Sequence, residues 1–135
     1  APRPGDRALD ACFLRGGEMR RLYHELHGTK HTLLLFDGQN ANRENHENLS
    51  RIGALIQERY APYINTHIVV PFNEKPAHLT WSGSVLLDGE GELHHRYGAS
   101  AECLYLIRPD GYVGYRNQPA SGEQLLAYLS EIFVS

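Results

Sequence analysis

Cysteine is scarce in this sequence: Cys12 and Cys103 are the only two thiols among 135 residues. Two cysteines are too few for a disulfide scaffold, and their wide separation excludes a CxxC redox pair. We expect both thiols to be reduced and mostly buried, with a single bridge between them as the alternative. Reduced thiols are typical of cytoplasmic proteins, so the sequence favours a cytoplasmic location.

Long apolar runs and an excess of positive charge are also missing. The longest strongly apolar run covers residues 33–36, which is too short to span a bilayer, and no signal peptide is visible. The 13 Lys and Arg are outnumbered by 16 Asp and Glu, for a formal net charge of −3. Without a basic excess there is little to hold a phosphate backbone, so neither a membrane nor a nucleic acid is an expected partner.

The length of 135 residues and the hydrophobic content of 41% are those of one ordinary globular domain. The chain opens at Ala1 without an initiator Met, and its first residues place prolines and a glycine beside charged side chains. Such a composition is typical of a linker. We therefore predict that residues 1–10 are a linker from a preceding domain and that residues 11–135 form the domain itself.

Hydrophobic periodicity predicts strands and helices that alternate along the chain. Apolar residues at helical spacing predict amphipathic helices at residues 18–27 and 44–60. The continuous apolar run at residues 32–36 predicts a strand buried on both faces. Pro109-Asp110-Gly111 predicts a tight turn that joins strands at 102–108 and 112–116 in a hairpin. The other predictions are an edge strand at 11–14, a strand at 64–70, an extended segment at 84–87, a short helix at 93–97 and a C-terminal helix capped by Ser121.

This element order is that of a thioredoxin-like α/β domain, a mixed sheet flanked by helices. The first strands should be parallel with helical crossovers, and the last pair antiparallel. In a redox-active protein of this kind, the nucleophilic cysteine follows the first buried strand, where the next helix lowers the pKa of its thiol. Residues 36–42 read Phe-Asp-Gly-Gln-Asn-Ala-Asn, without Cys, Ser or Thr. We therefore expect a thioredoxin-like fold that lacks the CxxC active site.

No other sequence motif predicts catalysis, a metal or a cofactor site in this chain. HExxH, GxSxG, GxGxxG and P-loop patterns are all missing. The eight histidines follow no metal-ligand spacing, and we expect them to be solvated or singly hydrogen-bonded. We accordingly predict no catalytic, metal-binding or cofactor-binding residue.

Four residues are candidates for an interface. Arg108 and Arg116 bracket the hairpin with Asp110 and could straddle an acidic partner; the alternative is a solvated hairpin with one local ion pair. Trp81 lies in an irregular segment and could either close the core or anchor an interface.

The hairpin also carries a family resemblance. Residues 106–116, Leu-Ile-Arg-Pro-Asp-Gly-Tyr-Val-Gly-Tyr-Arg, resemble the Arg-Pro-Asp-Gly-x-Val-x-x-Arg segment near the C-terminus of FAD-dependent aromatic-ring hydroxylases. These are the phenol-hydroxylase-like and polyketide-hydroxylase-like flavoprotein monooxygenases. Pro4-Gly5-Asp6-Arg7 is similar to the opening of that family's last domain, and residues 20–26, 33–36 and 96–98 resemble its first helix, buried strand and pre-hairpin turn.

The resemblance implies a non-catalytic, thioredoxin-like C-terminal domain without active-site cysteines. Its partners would be the preceding FAD-binding and substrate domains of the parent chain, with a homodimer also possible. FAD and NAD(P)H would bind to those domains, which would hydroxylate an aromatic or polyketide-like substrate with O₂, and no cofactor would bind here.

Two alternatives from other functional classes stay open. One is a stand-alone thioredoxin-like or peroxiredoxin-like thiol protein, which requires a reactive thiol at Cys12 or Cys103. The other is a small interaction module that pairs through an edge strand or through the hairpin.

Overall fold

A computed structural model describes residues 1–15, 17–26, 28–39 and 43–133 of the chain. The strands are β1 (Cys12–Arg15), β2 (Glu18–Arg21), β3 (His31–Phe36), β4 (Ile64–Val70), β5 (Ser84–Leu87), β6 (Cys103–Ile107) and β7 (Val113–Asn117). The helices are α1 (Arg43–Tyr60), α2 (Glu92–Arg96) and α3 (Gly122–Ile132), and Leu22–Glu25 form a 3₁₀ turn.

The seven strands form one mixed sheet in the order β2-β1-β5-β4-β3-β6-β7. Strand β4 pairs in parallel with β3 and with β5, whereas β6 pairs antiparallel with β3 and with β7. The predicted parallel pair with a helical crossover corresponds to β3 and β4, and the predicted antiparallel last pair corresponds to β6 and β7. The first strand, β1, instead pairs antiparallel with β2 and with β5. The β3–β4 crossover is α1, as parallel pairing requires a long connection.

Two apolar clusters cover the two faces of the sheet, which explains why β3 has no polar alternation. Leu33 and Leu35 face the cluster that contains α1 and α3, and Leu34 and Phe36 face the opposite cluster. All four side chains are fully buried. Each face thus contributes apolar burial to folding, at roughly 25 cal/mol per Å² of area removed from water.

The predicted helix at residues 18–27 is wrong over its first half. Glu18–Arg21 form β2, which returns antiparallel to β1 and pairs Leu14 with Met19. Gly17 has a φ of +82°, a left-handed conformation that suits this turn. Met19 is 62% exposed, so the apolar spacing did not mark a buried helix face. His27 lies outside the described residues.

The predicted edge strand at residues 11–14 corresponds to β1, but β1 is not an edge strand. It lies between β2 and β5 in the sheet. Strand β2, which the sequence did not predict, occupies the edge instead.

The N-terminal segment is attached to the β6–β7 hairpin. The amide of Gly5 donates to the carbonyl of Val113 at 2.8 Å. The guanidinium of Arg116 donates to the carbonyl of Pro2 at 2.9 Å. The role of residues 1–10 as a linker from a preceding domain stays a prediction.

Among the residues that the structure describes, no helix combines the length and the apolar character needed to cross a membrane.

Candidate functional site

Two buried aspartates lie on either side of β4, where the parallel strands end. Asp37 follows β3 and Asp88 follows β5, and their amides donate to the successive carbonyls of Val69 and Val70 in β4 at 2.9 and 2.8 Å. Both side chains are at most 1% exposed. Ligands of open α/β sheets bind beyond the carboxyl ends of the strands, so this edge is the candidate site.

Asp37 begins a hydrogen-bonded chain of three side chains that reaches the surface. Its Oδ2 atom lies 2.6 Å from Nε2 of His46, in the first turn of α1. Nδ1 of His46 lies 2.6 Å from Nε2 of His78, in the segment between β4 and β5. His46 is buried and His78 is exposed, so the Asp37–His46–His78 chain connects a buried carboxylate to solvent.

The hydrogen bonds restrict where the protons of this chain can be. When Asp37 is ionised, Nε2–H of His46 donates to its carboxylate, which leaves Nδ1 of neutral His46 as an acceptor. Nε2–H of His78 then donates to that acceptor. The Nδ1 lone pair of His78 is consequently the free base at the end of the chain.

Burial raises the pKa of Asp37, and the hydrogen bond from His46 partly opposes this rise. The second carboxylate oxygen, Oδ1, is buried and has no hydrogen-bond partner among the described residues. A carboxyl group in this setting holds its proton more strongly than usual, which is typical of groups that take part in proton transfer.

His94 and Asp88 hold the backbone beside Asp37 in place. The amide of Gly38 donates to Nε2 of His94 at 3.2 Å. Because Nε2 accepts, the ring proton lies on Nδ1, which donates to Oδ2 of Asp88 at 2.8 Å. His94 thereby positions the Asp37-Gly38 peptide.

Gly38 is required by a close approach of two backbone segments. It has a φ of +89°, and a Cβ atom there would lie 2.6 Å from the carbonyl carbon of Ala101 and 2.8 Å from the amide nitrogen of Glu102. Only glycine fits such a position. The segment after β3 is thereby held against the segment that leads into β6.

Glu102 adds a second carboxyl group with a perturbed pKa. Burial raises the pKa of Glu102, and the negative charge of Asp37 adds to the rise. Asn48 of α1 donates to Oε1 at 3.0 Å, whereas Oε2 is buried without a partner among the described residues. Glu102 is therefore a second carboxyl group with a raised pKa near the Asp37–His46–His78 chain, in addition to Asp37 itself.

The arrangement does not form a metal centre within the described part of the chain. No three His, Cys, Asp or Glu side chains there are grouped as metal ligands. The three side chains of the Asp37–His46–His78 chain bind one another in sequence, which suits proton transfer better than metal binding. The expectation that no cofactor binds stays a prediction.

The predicted interface residues lie away from this site. Residues 103 and 107 of β6 pair with residues 36 and 32 of β3. The hairpin turn after residue 107 therefore lies at the opposite end of these strands from Asp37. Arg108 forms an exposed ion pair with Asp110, as the alternative of a local pair predicts. Arg116 donates to Pro2, and its guanidinium lies 5.9 Å from the ring centre of Tyr105.

Trp81 is 7% exposed and packs within the core on the α1 face. Its indole N–H donates to the carbonyl of Ser84 at 2.9 Å. Gly53 of α1 lies beneath the ring, since a Cβ there would be 2.9 Å from Cζ3. These contacts match the core-closure alternative. Interface roles for Trp81 and for the three hairpin residues stay predictions.

The two cysteines are free, and neither belongs to the Asp37–His46–His78 chain. Cys103 is 2% exposed, and burial raises the pKa of its thiol to about 12. Cys12 is half-buried in β1. The alternative of a bridge between them is not formed.

Sequence reasoning missed the histidine chain because it searched the end of β3 for a thiol. An aspartate directly after a buried strand, with a histidine in the next helix, was a usable signal for Asp37 and His46. His78 gives no such signal, because it lies in an irregular segment far along the chain.

Solved structures with the same architecture are numerous, at low sequence identity. A putative thiol:disulfide interchange protein DsbE from Chlorobium tepidum aligns with a TM-score of 0.75 at 16% identity, over 98% of this chain and 96% of its own. The thioredoxin domain of a thiol-disulfide oxidoreductase from Bacteroides vulgatus aligns with a TM-score of 0.70 at 11% identity, over 98% and 99%.

The fold is thioredoxin-like. An exposed lipoprotein thioredoxin from Streptococcus pneumoniae also aligns, with a TM-score of 0.65 at 18% identity over 91% of this chain and 99% of its own. The predicted thioredoxin-like α/β fold is therefore confirmed, and Cys12 and Cys103 do not form a CxxC pair. No protein-family model and no curated protein sequence matches the chain.

The predicted membership in the FAD-dependent aromatic-ring hydroxylases is wrong. Several of the matching structures are named as thiol-disulfide proteins or as a thioredoxin, and this chain covers nearly the whole of each of them. The predicted flavoprotein monooxygenase activity and the predicted FAD-binding and substrate domains as partners fall with it.

The motif that carried the resemblance has a local explanation. Gly111 has a φ of +86°, and Oδ1 of Asp110 accepts the amide of Tyr112 at 3.2 Å. Pro109-Asp110-Gly111 is therefore the chemistry that a tight hairpin turn needs in any family.

Proposed function

We propose that this thioredoxin-like domain acts by proton transfer at His78 and not by dithiol–disulfide exchange. The observation that carries the proposal is the Asp37–His46–His78 chain, with 2.6 Å between each pair of bonded atoms. In this role Nδ1 of His78 is a general base that takes a proton from a hydroxyl, a thiol or a water bound beside it.

The position of the Asp37–His46–His78 chain supports the role of His78 as a general base. Asp37 directly follows the first buried strand, where a redox-active thioredoxin-like protein carries its cysteine. A carboxylate that binds one nitrogen of a histidine orients the ring and stabilises its protonated form. His46 receives this support from Asp37 and passes it to His78 through its other ring nitrogen.

Hydrolysis of p-nitrophenyl acetate at neutral pH tests the proposal, because this ester reports any activated imidazole. His78→Gln should lower the rate about tenfold or more, since a positioned general base contributes that much or more. His46→Gln should lower the rate of hydrolysis similarly, although His78 is still present. This result would show that the activity needs the Asp37–His46–His78 chain and not only a surface histidine.

His95→Gln is the matched control, because His95 is exposed on α2 and does not belong to the Asp37–His46–His78 chain. It should hydrolyse the ester as fast as the unmodified protein. Equal loss in His95→Gln and His78→Gln, or no loss in His78→Gln, would contradict general-base action at His78.

A second candidate function is thiol chemistry, which the likeness to thiol-disulfide oxidoreductases favours. Cys12 is the thiol that could carry it, since it is half-buried and lines a small cavity beside Asp88. Its thiolate would attack a disulfide, form a mixed disulfide and release one thiol, and a second external thiol would then restore it.

Alkylation of the native protein distinguishes the two functions. Rapid labelling of Cys12 below neutral pH, together with disulfide reduction that Cys12→Ser abolishes, would favour thiol chemistry. Labelling of either cysteine only after denaturation would exclude it. The raised pKa of Cys103 predicts that this thiol stays unlabelled in the folded state.

Three predictions from the sequence have no test in the structure and stay proposals, the last of them as an alternative function. They are the cytoplasmic location, the possible homodimer and the small interaction module. Measuring the mass in solution would test for a homodimer. Comparing the mass in solution of the Arg108→Ala variant with that of the unmodified protein would test whether the hairpin takes part in any association.

A further inference from the structure

A cavity of about 510 Å³ opens beside the amino-terminal half of β4, at the opposite end of this strand from Asp37. Strand β5 begins at Ser84, which is opposite His67. Residues 64–66 therefore pair with β3 on one side and have no strand partner on the other side within the described chain. The cavity lies where the sheet is short of a strand.

Two buried polar groups that line the cavity lack partners. His67 is 7% exposed, and its Nδ1 lies 2.7 Å from Oγ of Ser84. Nε2 of His67 and Oγ1 of Thr66 are buried and have no hydrogen-bond partner among the described residues. Leaving a buried polar group unpaired lowers stability, so a ligand that supplies the missing hydrogen bonds binds favourably.

The charges around the cavity favour an anion. Lys30 and Arg15 contribute two positive charges, against the single carboxylate of Glu25 that pairs with Arg15. The ammonium of Lys30 donates to the carbonyl of Ala61 at 3.3 Å, a long hydrogen bond that leaves its other protons available.

The protonation of His67 fits the same ligand. Desolvation lowers the pKa of His67 to about 4, so the ring is neutral at neutral pH. When the Ser84 hydroxyl donates to Nδ1, the single ring proton lies on Nε2, which becomes a donor without an acceptor.

We propose that this cavity binds a small organic carboxylate. One carboxylate oxygen accepts from Nε2–H of His67, and the Lys30 ammonium supplies the opposite charge. The Thr66 hydroxyl also lines the cavity and provides a further donor from the opposite face of β4. This site is separate from the Asp37–His46–His78 chain and does not depend on the function proposed for it.

Titration with succinate, followed by NMR of the backbone amides and imidazole protons, tests the proposal. We expect saturable shifts at His67 and Thr66, and none with the neutral succinamide. Lys30→Met should weaken binding roughly tenfold or more, because a hydrogen bond to a charged group is lost. Thr66→Val, which keeps the side-chain shape, should also weaken it.

Arg96→Met is the matched control, since Arg96 is an exposed cation on α2 outside the cavity. It should bind succinate as the unmodified protein does. The amide spectrum of each variant shows whether it is folded. Absence of saturable shifts in the unmodified protein, equal weakening in Lys30→Met and Arg96→Met, or equal binding of succinamide would each overturn the proposal.

Discussion

Oδ2 of Asp37 and Nε2 of His46 lie 2.6 Å apart, so one hydrogen bond joins the end of β3 to its crossover helix, α1. Because both side chains are buried, water does not compete for this contact. The bond therefore fixes the geometry of the strand end as well as the proton position in His46.

Replacing Gly38 should show how much the close approach beside Asp37 matters. Gly38→Ala should destabilise the protein by about 3 kcal/mol or more, because left-handed strain adds to a clash with rigid backbone. Gly111→Ala is the control, since Gly111 has a similar φ of +86° and open space around its Cβ position. It should cost only about 1–2 kcal/mol. Urea denaturation measures both, and equal losses would contradict the role of the close approach.

The stability of the protein should decrease with rising pH because of Asp37. Burial raises the pKa of this carboxyl in the folded state above its ordinary value of 3.8. The folded chain then binds more protons than the unfolded chain, so protonation of Asp37 stabilises the folded state. This contribution is complete below pH 3.8 and is lost as pH rises through the pKa of the folded state. Asp37→Asn should remove that decrease. Urea denaturation at stepped pH measures it, and parallel curves for the two proteins would contradict the prediction.

His67 should have the opposite effect on stability. Desolvation lowers the pKa of His67 from 6.5 to about 4, so the unfolded chain binds the extra proton between these values. The stabilisation that neutral His67 provides should be complete above pH 6.5. The free energy of unfolding should then fall by about 3 kcal/mol as pH decreases towards 4. His67→Gln should lose this dependence, whereas His95→Gln should keep it. NMR titration of the His67 ring gives the pKa directly, and a value near 6.5 would refute the prediction.

Trp81→Phe should destabilise the fold by about 1–3 kcal/mol, since it removes the indole hydrogen bond to the Ser84 carbonyl and part of the packing over Gly53. Tyr63→Phe is a control at a residue that is 53% exposed, and it should leave stability nearly unchanged. Thermal unfolding and mass in solution should be measured together. An unchanged melting temperature with altered association would instead favour Trp81 as an interface anchor.

Most of the fold could be predicted from sequence because local chemistry and burial agree there. The run at residues 32–36 is apolar on both faces because both faces of β3 are covered. Ser121 accepts the amide of Gln124 at 3.3 Å, as its place before α3 predicted. The hairpin follows from turn residues alone.

The errors arose where local pattern and tertiary contacts disagree. The spacing of Met19, Leu22 and Leu26 fits a helix, yet pairing with β1 makes residue 19 part of a strand. The candidate site was missed for a related reason: His46 and His78 are 32 positions apart, and only the folded chain brings them together. A pattern read along one dimension has no access to such a contact.

Residues 2–9 are held by hydrogen-bond partners that lie far along the sequence. The hydroxyl of Tyr97 donates to the carbonyl of Leu9 across 88 positions, and Arg116 donates to Pro2 across 114. Since a protein is synthesised from its N-terminus, this segment emerges from the ribosome well before the residues that hold it exist. Contacts of such long sequence separation also slow folding. Residues 2–9 are therefore among the last residues of this domain to be ordered, and they are accessible to proteases until residues 97 and 116 have been made.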